Sequence, residues 1–218
     1  MKNILFISLL LSLTTLSAQD DGTSTMTVLV NGVEYKTEPR RLRLGNYGYI
    51  TGNAISPDKS LRIWLAAFDG TEIKEPGKYL IVDAYHPEAE ENYVNSIVTG
   101  EYKGLATVKY VEETKVPRME YHVGMSNNRG EYVVVTKAED GYTEFTFNCT
   151  LDGSYWKEKV MTTALGGVGR LVDKMENKAV TGATGFEQDI DPEGNGYKKQ
   201  KLTDEIILKD GVVRMNLK

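Results

Sequence analysis

Short runs of alternating apolar and polar residues recur along this chain, and many of them close on Asn-Gly or Asp-Gly. The dipeptides fall at Asn31-Gly32, Asp69-Gly70, Asp140-Gly141, Asp152-Gly153, Asn195-Gly196 and Asp210-Gly211. Strand side chains alternate between faces, and these dipeptides readily take the positive φ values of a tight hairpin turn. The pattern predicts an all-β, mainly antiparallel fold. In TVLVNGVEYKT a two-residue turn pairs Val30 with Val33 and Val28 with Tyr35. In YVVVTKAEDGYTEFTFNC it pairs Val134 with Phe147 and Tyr132 with Cys149. In DEIILKDGVVRMNLK it pairs Leu208 with Val213 and Ile206 with Met215. Each register gathers apolar side chains on one face, which is what specifies a register.

The runs RLRLGNYGYITGNAI, LRIWLAAF, KYLIVDAY, LATVKYVEE and MEYHVGM read as further strands. LRIWLAAF is apolar on both faces, so a central strand covered above and below is expected. EKVMTTALGGVGRLVDKMENK departs from the pattern. Val160, Ala164, Val168, Leu171, Val172 and Met175 form a helical stripe, but Gly166, Gly167 and Gly169 interrupt it. Each glycine weakens a helix by about 1 kcal/mol. A short or broken helix, or a long loop, is expected near 157–177. The strands together predict a β-sandwich, with a small β-barrel as the alternative. Uneven strand lengths favour the sandwich.

The first residues change the picture. Lys2 precedes an apolar run from Ile4 to Leu16, and Leu16-Ser17-Ala18 supplies small residues after it. Residues 1–18 are expected to be a secretory signal peptide, 19–24 a flexible tail, and 25–218 a single β-rich domain. The protein is expected to be exported, to the periplasm or the exterior. No later run has the eighteen or more apolar residues of a spanning helix, so no membrane span is expected. Lys and Arg number 26 against 31 Asp and Glu, a formal charge of −5 without a basic stripe. That balance argues against a nucleic-acid partner.

Candidate chemistry is sparse. Cys149 is the sole cysteine, so no internal disulfide forms. Alternation sets it on one side of its strand with Phe145, Phe147 and Leu151, which predicts a buried free thiol of structural role. Its sequon Asn148-Cys149-Thr150 is the weak form of a glycosylation signal. His86 and His122 are the only histidines, and no Gly-x-Ser-x-Gly, His-Glu-x-x-His or Cys-x-x-Cys occurs. No catalytic residue is therefore nominated. The one cofactor considered is calcium. In DIDPEGNG, Asp189, Asp191, Glu193 and Asn195 bring hard oxygen ligands around a glycine-bearing loop, although an acidic hairpin tip is the plainer reading. The acidic run DAYHPEAEEN follows no ligand spacing, and ALGGVGR lacks the ending of a phosphate-binding loop. Tyr47, Tyr49, Tyr155 and Trp156 are the aromatic residues expected to hold a ligand.

MTVLVNGVEYKT, EPGKYLI, GEYKGLATVKYVE and YTEFTFNCTLDG resemble uncharacterised secreted β-rich domains and lipoproteins of Gram-negative bacteria, over about residues 25–155. Those domains open with a Val-Asn-Gly hairpin and continue with a Pro-Gly-x-Tyr strand start. The resemblance implies a sandwich-like fold and a bacterial source, and carries no activity across. This chain lacks the lipobox cysteine that many of them have. The expected function is a non-catalytic β-sandwich that binds a ligand, glycan or protein partner outside the cytoplasm. A β-barrel carrying a small molecule and a calcium-assisted or carboxylate-based hydrolase are the alternatives.

Overall fold

The computed structural model describes residues 24–43, 49–56, 59–67, 75–84, 100–114, 120–138, 140–158 and 197–216. Among them the fold is all-β, with no helix. The strands are β1 (Thr25–Val30), β2 (Val33–Thr37), β3 (Arg40–Arg43), β4 (Tyr49–Ser56), β5 (Lys59–Ala67) and β6 (Gly77–Ile81). After them come β7 (Tyr102–Thr114), β8 (Glu120–Met125), β9 (Tyr132–Lys137), β10 (Tyr142–Glu158) and β11 (Tyr197–Asn216). They form one mixed sheet in the order β2-β1-β11-β10-β9-β6-β7-β5-β4-β3, with β8 bridging β10 and β7. Only β6 and β7 pair in parallel. Of the segment near 157–177, Lys157 and Glu158 end β10 as strand, and the rest lies outside the described residues. So do residues 1–18.

The predicted hairpins fare differently, for physical reasons. At Asn31-Gly32 both residues take positive φ, 50° and 82°, and Val30 pairs with Val33 and Val28 with Tyr35 as expected. At Asp140-Gly141 the register is one residue off the expected one: Phe147 pairs with Val133, not Val134, and Cys149 does not face Tyr132. The loop there holds three residues. The Gly141 N–H donates back to the Ala138 carbonyl, Gly141 takes φ 86°, and the Tyr142 N–H donates to the Asp140 carboxylate. That is the glycine-bulged three-residue hairpin. The slip exchanges which face of β9 is buried: Val133 and Val135 are inside, and Tyr132 is 38% exposed.

Asp210-Gly211 makes no hairpin, and Leu208 does not pair with Val213. The strand β11 runs straight through, with Asp210 at φ 52° as the extra residue of a bulge. Both neighbours register it. The pairing of β11 shifts by one against β1 between Thr27 and Leu29, and against β10 between Phe147 and Cys149. The Asn148 side-chain oxygen accepts from the Asp210 N–H at 2.8 Å and satisfies the unpaired amide. Gly211 is required because a Cβ there would lie 2.4 Å from the Phe147 ring. Asp152-Gly153 likewise lies inside β10.

One apolar cluster joins Met26 and Val28 of β1, Leu61 and Ile63 of β5, Val108 of β7, Phe145 and Leu151 of β10 and Ile206 of β11. Strands far apart in the sheet therefore share a core, so the sheet curls over itself like the two layers of a sandwich while its hydrogen bonding stays continuous. Tyr35 of β2 marks the closure. The Lys59 ammonium of β5 lies 5.0 Å from its ring centre, and it hydrogen-bonds Tyr110 of β7. Inside the sheet, β5 lies between β4 and β7, with Leu61, Ile63 and Leu65 buried and Arg62 and Trp64 only half-buried. It is interior, as expected, but fully covered on one face alone.

The sheet also forks. One edge of β7 pairs with β6 over Tyr102–Ala106 and with β8 over Lys109–Thr114. The facing edge of β10 pairs with β9 over Thr143–Phe147 and with β8 over Asp152–Lys157. Two strands thus separate β7 from β10 at one end, and one strand at the other. Buried Ser126 holds the junction: its hydroxyl donates to the Val82 carbonyl and accepts from the Val108 N–H, at 2.8 and 3.0 Å. Its backbone bonds Val108 and Ala84 as well.

Candidate functional site

The residues beyond the fork, on β8, β10 and β11, carry two polar clusters. The first begins with glycine. Gly153 of β10 stands between Gly124 of β8 and Asp204 of β11, and a Cβ on it would lie 1.9 Å from the Asp204 carboxylate. The missing side chain lets that carboxylate lie across the strand. Its Oδ1 meets His122 Nε2 at 2.9 Å, and its Oδ2 accepts from the Tyr155 hydroxyl at 2.8 Å. His122 and Tyr155 are directly opposite in register, and their rings stack 4.2 Å apart and 5° from parallel. Partial burial would raise the Asp204 carboxyl, but the hydrogen bonds from His122 and Tyr155 outweigh it and hold it below the usual range. The same bond to Asp204 pushes the Tyr155 hydroxyl up.

The row continues across the sheet. Glu112 of β7 faces His122 from the other side, and Lys59 of β5 faces Glu112, their ion pair closing at 3.1 Å. Tyr110 donates to the other Glu112 oxygen at 3.0 Å. Burial foremost, with the Tyr35 bond and the Glu112 charge, keeps the Tyr110 hydroxyl protonated far above its ordinary range. Lys59, Glu112, His122 and Tyr155 therefore form a polar row on the same side of the sheet as the core residues Leu61, Tyr110 and Leu151.

The second cluster centres on Arg129, in the turn that leads from β8 to β9. Its guanidinium bridges Asp152 Oδ1 at 2.5 Å and Glu205 Oε1 at 2.9 Å, and Asn127 Nδ2 donates to Asp152 Oδ2 at 2.7 Å. Asp152 loses a little solvent, but Arg129 and Asn127 prevail and hold its carboxyl low. The Arg129 cluster lines a cleft of about 380 Å³ at the fork, on the face of these strands opposite the His122–Tyr155 stack; of the first cluster only Gly153 and Asp204 border it. Arg129, Asp152, Lys199, Thr203, Asp204 and Glu205 supply most of its polar groups, and Met125 is the apolar contribution.

Of the aromatic residues nominated from sequence, Tyr155 and Trp156 are described with their side chains, and these point to opposite faces of β10. Tyr47 lies outside the described residues, and Tyr49 is placed by its backbone alone, in β4 opposite Arg43 and Leu65. Tyr155 belongs to the Asp204 cluster. Its neighbour Trp156 points to the opposite face and is buried with Val111, Tyr121, Val123 and Tyr197, its indole N–H on the Ser154 hydroxyl. Cys149 is a buried free thiol inside the main core, pushed well up by burial and by the Glu131 charge. Asp189, Asp191, Glu193 and Asn195 lie outside the described residues. Among the described residues no three His, Cys, Asp or Glu side chains are grouped to hold a metal.

His122, Arg129, Asp204 and Glu205 were not nominated from sequence. A signal was present for one of the clusters: Gly124 and Gly153 interrupt strands without making a turn, and a glycine inside a strand marks a close approach. No family model, curated protein or solved structure matches this chain.

Proposed function

We propose that this is an exported, non-catalytic binding module that takes a hydroxyl-rich ligand, a glycan segment, in the cleft at the fork. The observation that carries the reading is the cleft itself, lined by donors and acceptors whose positions are fixed before a ligand arrives. Arg129 is held by two carboxylates and Asn127 by one, so ordering them on binding costs little entropy. A polar lining with few apolar residues suits hydroxyl groups better than an apolar cargo. The electrostatics favour binding over turnover. A general acid for glycoside cleavage needs a raised carboxyl, whereas Asp152 and Asp204 are both held low. The apolar leader of residues 4–16 supports export.

Titration calorimetry of the mature protein with a panel of soluble oligosaccharides (chitotetraose, xylotetraose, mannotetraose and peptidoglycan fragments) tests the reading. Binding by at least one is expected, weakened about tenfold by Lys199→Ala or Thr203→Val, in line with one lost hydrogen bond. Silence across the panel, or binding that ignores both substitutions, refutes it.

A further inference from the structure

The two edges of β11 are covered unequally. Along one it pairs with β10 from Tyr197 to Asn216, while along the other β1 covers only Leu208–Arg214. Asn31 closes the end of the covered part: its N–H donates to the Ile207 carbonyl, and its side-chain oxygen accepts from the Ile207 N–H. Alternation turns the backbone groups of Thr203 and Glu205 to the same side as those of Ile207, and among the described residues no strand meets them there. The stretch from Lys198 to Glu205 is exposed apart from half-buried Gln200, and Leu202 is 64% exposed. We propose that this open edge is an interaction surface for a second copy of the chain, which pairs with it antiparallel, β11 against β11, about a two-fold axis.

The argument is charge and symmetry. An open strand edge is a template for pairing, and lysine on it is a common guard against indiscriminate pairing. Here the guard has a direction. Lys198, Lys199 and Lys201 lie at one end of the stretch KKQKLTDE, and Asp204 and Glu205 at the other. Antiparallel pairing with an identical edge lays the basic end over the acidic end twice, whereas parallel pairing sets like charges side by side. An axis perpendicular to the sheet keeps every residue on its own face of the joined sheet. With that axis at Leu202, Lys199 stands opposite Glu205 of the second copy, Lys201 opposite Thr203, and Leu202 opposite its own counterpart, where its exposed side chain is covered. Lys199, Thr203 and Glu205 all border the cleft, so they share a face as this pairing requires. Glu205 bonds Arg129 through Oε1, which leaves Oε2 for the lysine. β11 carries its extra residues between Lys199 and Thr203, and the axis lies among them, so the two bulges face each other and the flanking pairs stay in step. The inference goes beyond the binding reading and does not depend on it.

Sedimentation velocity of the mature protein from about 5 to about 500 μM tests it, a range suited to the small interface of a single strand edge. A monomer–dimer equilibrium is expected. Lys199→Glu and Glu205→Lys each set like charges opposite one another and are expected to weaken the dimer about tenfold. An equimolar mixture of the two variants restores both opposite-charge contacts and is expected to associate as tightly as the native protein. Leu202→Asp, at an exposed position outside the ion pairs of the cleft, repels across the axis and is expected to be monomeric. Circular dichroism checks that each variant is folded, and where a charge variant is not, Leu202→Asp decides. A native protein that stays monomeric through the whole range, a dimer that keeps its affinity in the folded variants, or a mixture no tighter than its components overturns the proposal. Oligosaccharide binding by a strict monomer would leave the cleft reading standing while this one falls, and a dimer that binds no sugar would do the reverse.

Discussion

At the residue scale, the thiol and one glycine are set by close packing. Cys149 sits among Phe145, Phe147 and Leu151 with its sulfur out of water. Cys149→Ser replaces a weak polar group with a hydroxyl in the same apolar space, at an expected cost of about 1–3 kcal/mol in denaturant unfolding. The native thiol should not react with a disulfide reagent until the protein unfolds, since the thiolate is strongly disfavoured. Fast native labelling would contradict the buried placement. Gly153 makes the opposite demand, for absence of a side chain. Gly153→Ala is expected to displace Asp204 and break the stack of His122 on Tyr155, visible in NMR as loss of the ring-current shift that the stacked Tyr155 ring imposes on the His122 ring protons. Cys149 was legible in the sequence because alternation alone decides it. The Asp204 cluster was not, because its partners are 82 and 49 positions apart and meet only through the pairing of three strands.

At the scale of elements, three of the four described dipeptides carry the expected positive φ, Asp152-Gly153 stays extended inside β10, and the topology is ambiguous. Asn31, Gly32, Asp210 and Gly141 all adopt positive φ, as Asn-Gly and Asp-Gly favour. Yet one pair makes a two-residue turn, one a three-residue loop and one a bulge in a strand of 20 residues. What decides is the neighbour. At Asn31 the turn is fixed because Ile207 exchanges two bonds with it, one to the backbone and one to the Asn31 side chain, both 2.8 Å. At Asp210 the strand has β1 on one edge and β10 on the other, so it cannot turn back on itself. Gly211→Ala should force the Phe147 ring aside and cost about 1–3 kcal/mol, the usual range for overpacking. An unchanged urea midpoint would mean that the ring relaxes freely.

At the scale of the whole molecule, acidity is the expected weakness. Asp152 and Asp204 have folded carboxyls held below their unfolded values. Such groups contribute fully above the unfolded range and lose their contribution as pH falls through the folded one. Stability is therefore expected to be flat near neutrality and to decline between about pH 5 and about pH 2. Asp152→Asn should lower the urea midpoint at pH 7 more than at pH 3, giving a shallower acid limb. A parallel displacement at both pH values would assign the loss to something other than the ionised bridge. The all-β class was legible from periodicity. The curl of the sheet and its fork were not, since both depend on which strands meet and not on what any one strand prefers.

The fork has a consequence best put in the language of crystals. A sheet is a lattice of parallel rows, and here one row lies between β7 and β10 at one end while two lie between them at the other. That is an edge dislocation, with Ser126 at its core. A dislocation cannot be removed by local adjustment, because the five pairings around it, β7–β6, β6–β9, β9–β10, β10–β8 and β8–β7, form a closed circuit. Four registers determine the fifth. A slip in one must be answered by a slip elsewhere on the circuit, and the one irregularity among its described pairings lies between Lys78 and Tyr79 of β6, where Lys103 of β7 is the extra residue. The lattice must also spread where the extra row ends. The cleft lies beside that point, over β8, β10 and β11, so its place in the molecule belongs to the strand pairing, and the side chains on its walls are free to vary in what they bind.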